Sequence, residues 1–169
     1  MVTSLWIAAT VQAQPLVVTD LAGRTVKIPV RPQRIICLGP GALRLIVYLG
    51  AQNQVAGIES MEQRMVTGRP YMLAQPQLQS LPVIGPGGAG AINKKPDMEA
   101  VLRVAPDLIF VTYMETALAD EVAGTLGVPV VVLHYGELAV FDQAVIDSLH
   151  LAGGILNQRQ RAGAVAEYI

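Results

Sequence analysis

Five times along the chain a short, continuous apolar run ends in a cluster of glycine, proline, aromatic or polar residues. The runs are residues 34–38 before Gly39-Pro40-Gly41, 55–58 before Glu59-Ser60, 81–84 before Gly85-Pro86-Gly87-Gly88, 107–111 before Thr112-Tyr113-Met114, and 130–133 before His134-Tyr135-Gly136. Helix-like amphipathic stretches separate most of them. Apolar runs without alternation are strands buried on both faces, and such strands make parallel sheets covered by helices. Ligands of these sheets sit beyond the carboxyl ends of the strands, so the five clusters are predicted to meet on one edge.

The segments between the runs fill in the pattern. Residues 16–19 and 25–28 flank Asp20-Leu21-Ala22-Gly23-Arg24 and predict a β-hairpin that turns at Gly23. A helix is predicted over 42–49, with Leu43, Ile46 and Val47 on its buried face and Gly50 as its stop. Residues 61–80 are Gln-rich and carry Pro70 and Pro76, which predicts a short helix and an irregular excursion. Asp97 is placed to cap a helix that has Glu99 in its first turn and buries Met98, Val101, Leu102 and Ala105. Further helices are predicted over 115–126 and 138–152. The second of these rests on Phe141, Val145 and Leu149 and is broken by Gly153-Gly154; Asn157 then caps a last helix over 158–169.

A chain of 169 residues is one domain's worth. It is 52% apolar and 15% charged, with a mean hydropathy of +0.44. That is rich for a free-standing domain and implies apolar surface that meets another. A net charge of −1 and a pI near 6.1 argue against a nucleic-acid partner, which would demand a basic patch. Lys94-Lys95 is the one basic doublet and reads as a solvated loop. Residues 1–13 hold an apolar stretch too short to span a bilayer, ending in Val11-Gln12-Ala13, which suits a signal-peptidase cut. They are read as the remnant of an export signal. The lone Cys37 lies inside an apolar run and reads as core.

Candidate chemistry gathers at the run ends. Residues 85–90 match G-x-G-x-x-G, but a dinucleotide site needs a helix to open at the third glycine, and Ala91 to Pro96 intervene. A Gly-Pro loop approaching some other ligand is the better reading of Gly85, Pro86, Gly87 and Gly88. Gly39, Pro40 and Gly41 lead into a helix with Arg44 in its first turn. That is either a tight turn with a solvated arginine or a cradle in which Arg44 meets a carboxylate or oxyanion. Tyr113 and Tyr135 occupy matching strand ends, where a ring stacks on a planar ligand and its hydroxyl hydrogen-bonds. His134, Glu59 and Met114 sit at the same edge. With two histidines in the chain no metal site is expected, nor any resident cofactor. No serine elbow, paired carboxylates or Cys–His pair supports catalysis, and no catalytic residue is assigned.

Residues 18–26, then Pro32-Gln33-Arg34-Ile35-Ile36-Cys37-Leu38-Gly39-Pro40, resemble the opening of the periplasmic substrate-binding proteins of ABC importers for iron–siderophore, haem and vitamin B12. Leu49-Gly50-Ala51 through Ile58, Pro82-Val83-Ile84-Gly85, residues 98–102 with 105–109, and Gly127-Val128-Pro129 onward extend the similarity over nearly the whole chain after residue 13. The resemblance implies a Rossmann-like three-layer α/β lobe with a mostly parallel sheet, preceded by a β-hairpin. Residues 14–156 would form the N-terminal lobe and 157–169 the start of the helix connecting it to a second lobe. It also implies that Glu99 docks onto arginines of the permease; a plain first-turn acid favoured by the helix dipole is the alternative. Ligand contacts would come from Gly39, Pro40, Gly41, Gly85, Pro86, Gly87, Gly88, Tyr113, Tyr135 and Gly136, to which position and chemistry add Arg44 and Tyr71.

The function expected is binding of an iron chelate, haem or cobalamin-type ligand outside the cytoplasmic membrane and delivery to the permease and ATPase of an importer. The alternative is a flavodoxin-like α/β enzyme or cofactor-binding domain that uses the same edge. An isolated lobe would also be prone to dimerise through its apolar cleft face.

Overall fold

Leu16–Thr19 (β1) and Thr25–Ile28 (β2) pair antiparallel as the predicted hairpin. The structure, a computed structural model, describes residues 14–136 and 142–169; the leader and the predicted helix start at 138–141 lie outside them. Ile35–Leu38 (β3) is buried at every residue and enters Ala42–Tyr48 (α1) through the Gly39-Pro40-Gly41 turn. Val55–Gly57 (β4) follows, then two short helices, Ser60–Arg64 (α2) and Pro70–Ala74 (α3), and a 3₁₀ turn at Pro76–Ser80. Met98–Arg103 (α4), Leu108–Thr112 (β5), Thr116–Leu126 (α5), Val130–Leu133 (β6), Gln143–Ile155 (α6) and Arg159–Tyr168 (α7) complete the order.

The sheet is parallel, in the order β4-β3-β5-β6. Its strands are apolar on both faces because both are covered. Ile35, Cys37, Leu108, Phe110, Val131 and Leu133 face a core shared with α1, α3, α6 and α7. Ile36, Leu38, Ile109, Val111, Val130 and Val132 face the core under α4 and α5. The fold is thus the expected three-layer α/β arrangement. Chain order reverses between β3 and β5, so the loops after these two strands flank the switch point where such sheets take ligands.

Several local expectations are corrected. The run 81–84 is no strand: Pro82 has no N–H to give a ladder. Only Val83 bridges to Ile58, with the Ile58 N–H donating to Pro82 O at 3.0 Å and the Ile84 N–H to Ile58 O at 3.0 Å. Leu102 is 54% exposed and Ala105 is exposed, while Ala100 and Val104 fill the buried positions instead. In α5, Ala119 with Val122 and Leu126 makes the fully buried row, and Leu118 is half-buried beside it. Gly153-Gly154 does not break α6, which runs on to Ile155. A Cβ on Gly153 would lie 2.6 Å from Ala162 Cβ, so this glycine is the contact that lets α7 pack on α6. Asn157 is left-handed (φ 57°) and offers no cap; Gln158 stands at the N-cap. Asp97 does cap α4, accepting the Ala100 N–H at 2.9 Å.

The hairpin is bound to the outer edge of β6. Asp20 Oδ2 accepts the Val132 N–H at 3.0 Å, the Leu21 N–H donates to Val132 O at 3.1 Å, and Arg24 Nη2 donates to Val130 O at 2.7 Å. Buried Asp20 also holds Arg24 through Nε and Nη2 at 3.0 and 2.6 Å.

Candidate functional site

The carboxyl edge is assembled by the turn after β3. Gly41 is left-handed (φ 84°), and a Cβ there would fall 2.2 Å from Tyr135 Cγ. Only glycine lets the ring of Tyr135, from the loop after β6, lie on this turn. At Gly39 (φ 87°) a Cβ would meet Thr112 O at 2.7 Å, and Thr112 Oγ1 donates to Pro40 O at 2.8 Å. The loops after β3, β5 and β6 are thereby locked together.

Arg44, one turn into α1, stands at the centre. Its guanidinium carbon lies 5.3 Å from the Tyr71 ring centroid and 5.4 Å from that of Tyr135, within cation–π range of both. Its Nη1 donates to the Tyr135 hydroxyl. The Nε–H is buried without a hydrogen-bond partner, and no carboxylate among the described residues is ion-paired to Arg44. Arg69, on the same cavity, is neutralised by Glu62 at 3.1 Å. The Tyr71 hydroxyl donates to Glu62 Oε2 at 2.6 Å. Burial, and then that carboxylate, push the Tyr71 phenol up out of any physiological range. Burial also raises Tyr135, against the nearby Arg44 charge.

These side chains line a cavity of about 290 Å³ together with Pro40, Gly41 and Gly88. A second cavity, of about 240 Å³, opens at the switch point between Gly39, Gly85, Pro86, Lys94, Lys95 and Thr112. Glu59 forms part of the wall of both. Its residue is 8% exposed, and Oε1 accepts the Gly39 N–H at 3.2 Å. Burial pushes its carboxyl up to about 7; the Gly39 hydrogen bond opposes this and neighbouring Glu62 adds to it.

The edge therefore gathers Gly39, Pro40, Gly41, Arg44, Tyr71, Gly85, Pro86, Gly88 and Tyr135 around two adjoining cavities, while Gly87 packs against Glu59 Cβ. Tyr113 and Gly136 are brought to each other: the Tyr113 hydroxyl donates to Gly136 O at 2.7 Å, and neither lines either of these two cavities. Tyr113 is left-handed (φ 55°), a conformation that costs a side chain energy and recurs at functional edges. Glu99 stands on α4 with its side chain 90% exposed and Arg103 3.9 Å away. Glu62 and Arg69 carried no sequence signal, because their pairing depends on how two short helices fold back across Pro70. Glu59 did carry one, as the polar residue that ends a buried run. Among the described residues no cluster of three or more His, Cys, Asp or Glu is placed to hold a metal, and no helix is long and apolar enough to cross a membrane.

A parallel α/β layer with a hairpin on its edge strand and paired cavities at the strand ends is the fold of one lobe of a periplasmic binding protein, as the sequence resemblance implied. The solved structure of molybdate-bound MolA from Haemophilus influenzae superposes with a TM-score of 0.74 at 21% identity, covering 90% of this chain and 49% of that one. A periplasmic solute-binding protein from Veillonella parvula matches equally well, with a TM-score of 0.74 at 23% identity over 90% of this chain and 44% of that one. A periplasmic heme-binding protein from Pseudomonas aeruginosa gives 0.60 at 24% identity, over 81% of this chain and 43% of that one. By sequence, the curated molybdate-binding protein MolA is 28% identical over 118 residues, which is 69% of this chain and 31% of that protein. The chain thus spans about half the length of the solved structures it matches and a third of the curated relative. No protein-family profile matches it.

Proposed function

We propose that the chain is the N-terminal lobe of an exported substrate-binding protein that holds a ligand bearing anionic oxygens and hands it to an ABC importer. One observation carries this reading: the Arg44 guanidinium, stacked between Tyr71 and Tyr135, has a buried Nε–H without a hydrogen-bond partner and is ion-paired to no carboxylate among the described residues. A buried donor left unmade costs about 1–3 kcal/mol, so an incoming oxygen recovers that energy on arrival. The two rings hold the guanidinium plane in place before the ligand comes, which lowers the ordering cost of binding.

Relatives named for molybdate and for haem support the reading from outside, since both ligands present anionic oxygens, haem through its propionates. An iron chelate with carboxylate or catecholate oxygens satisfies the same chemistry. Residues 14–156 supply one wall of the cleft, residues 157–169 begin the connection to a second lobe, and Glu99 meets the permease. The work is binding and release, with no bond made or broken.

The test is calorimetric titration of the full-length protein with molybdate, haem and a ferric catecholate, repeated on Arg44→Ala. One of the three should bind with micromolar or better affinity, and Arg44→Ala should weaken it about tenfold or more, the loss expected for a charge-assisted hydrogen bond. Binding that is unchanged in Arg44→Ala would overturn the assignment.

A further inference from the structure

We infer that Glu59 makes ligand binding proton-linked: an anion entering the Arg44 cavity is accompanied by uptake of a proton on the Glu59 carboxyl, so the site grips at acidic pH and loosens as pH rises. This rests on the anion-binding reading above and adds to it a residue that gates the affinity.

The geometry makes the argument. Glu59 ends β4's buried run and turns its side chain into the wall between the two strand-end cavities, where it is 8% exposed. The Arg44 cavity holds about 290 Å³, room for about ten waters at ~30 Å³ each. An oxyanion docked on Arg44 therefore shares one small space with the Glu59 carboxyl. Two negative charges so placed repel each other.

The groups around Glu59 do not cancel that repulsion. From β3, Cys37 is buried and its thiol is pushed far up, so it stays neutral. From α2, Glu62 adds negative charge, but it is engaged by Arg69 and by the Tyr71 hydroxyl of α3. From α1, Arg44 donates to the Tyr135 hydroxyl of the loop after β6 and keeps its charge, which the docked anion takes up. From the loop at 90–96, Lys95 is paired with Glu121, and Lys94 lines the second cavity with no ion pair among the described residues. No arginine or lysine bridges to Glu59 itself among the described residues. The carboxyl titrates near 7 before any ligand arrives. A bound anion moves it higher, and by linkage the anion then binds best to the protonated form.

The experiment is titration of the full-length protein with molybdate, a dianion throughout this range, at pH 6 and pH 8 in two buffers of different ionisation enthalpy. With a carboxyl that titrates near 7 when free, affinity should fall about tenfold from pH 6 to pH 8, with up to one proton taken up per anion at pH 8. Glu59→Gln should flatten the profile and bind at pH 8 about tenfold more tightly than the native protein. Because that variant alters a buried position, the native Glu59 carboxyl is also followed by carbon-detected NMR and should titrate at higher pH with molybdate present. Molybdate binding with equal affinity at both pH values overturns the proton linkage and leaves the anion reading standing. A slope that persists in Glu59→Gln also overturns it. Absence of binding at either pH by molybdate, and by the haem and ferric catecholate titrated beside it, overturns both.

Discussion

A Cβ placed on Gly41 would fall 2.2 Å from Cγ of Tyr135, so the turn after β3 and the ring from the loop after β6 occupy the same small volume. Gly41→Ala must push the ring away and also hold a side chain at φ 84°. The left-handed backbone costs about 1–2 kcal/mol, and Arg44 loses one of its two stacking partners. Urea unfolding should show that loss of stability, and ligand titration a parallel loss of affinity. In Gly41→Ala with Tyr135→Ala, the clash is gone, so the double variant should unfold at higher urea than the sum of the single effects predicts. Strict additivity would show that the contact carries no energy.

Glu59 also ties the stability of the ligand-free protein to pH. Its carboxyl rises from 4.5 to about 7 on folding, so the folded state binds the extra proton between those values. The stabilisation is full below 4.5 and is lost as pH rises to about 7. At ~1.4 kcal/mol per unit the change is about 3 kcal/mol. Urea unfolding at pH 5 and pH 8 should differ by that order more in the native protein than in Glu59→Gln. An equal pH response in the two would remove Glu59 as its source.

Glu99 is 90% exposed on α4, and Leu102, one turn on, is a 54% exposed apolar neighbour. If this end of the lobe meets the permease, Glu99→Ala should reduce uptake about fivefold, the effect of about 1 kcal/mol at an interface. Ligand affinity should be untouched, because Glu99 lines neither cavity. A parallel fall in affinity would contradict the docking role.

Gly153 sets the distance between α6 and α7, with Ala162 Cβ 2.6 Å from where its own Cβ would stand. Gly153→Val overfills that contact and should cost about 1–3 kcal/mol in urea unfolding. Unchanged stability would mean that α7 moves aside freely.

The legible parts of the sequence were those where one residue decides the outcome. Runs such as Ile35 to Leu38 and Val130 to Leu133 are apolar without interruption, and that property alone buries both faces. Asp97 announced its cap because a carboxylate before an acidic first turn has few other uses. Position was harder where the decision lies elsewhere in the fold. A helix of six residues, Met98 to Arg103, is too short for its apolar spacing to separate Leu102 from Val104. Gly153 reads as a breaker until Ala162 is seen against it. The same limit holds at the site. Arg44 and the Tyr135 strand end were visible as chemistry at predicted ends, but Glu62 and Arg69 meet only through a fold-back around Pro70. Tyr113 carried the right chemistry and sits beside the cavity without lining it, because its hydroxyl is taken by Gly136.

Parallel sheets this apolar carry a hazard in their outermost strands, whose unpaired amides invite strands from neighbouring molecules. Here the hairpin's Asp20, Leu21 and Arg24 occupy Val130 and Val132 on one flank, and the Ile58–Val83 bridge occupies the other. The five-residue turn Asp20 to Arg24 thus guards the last strand of the sheet against self-association. One carboxylate, one guanidinium and the Leu21 amide close that flank.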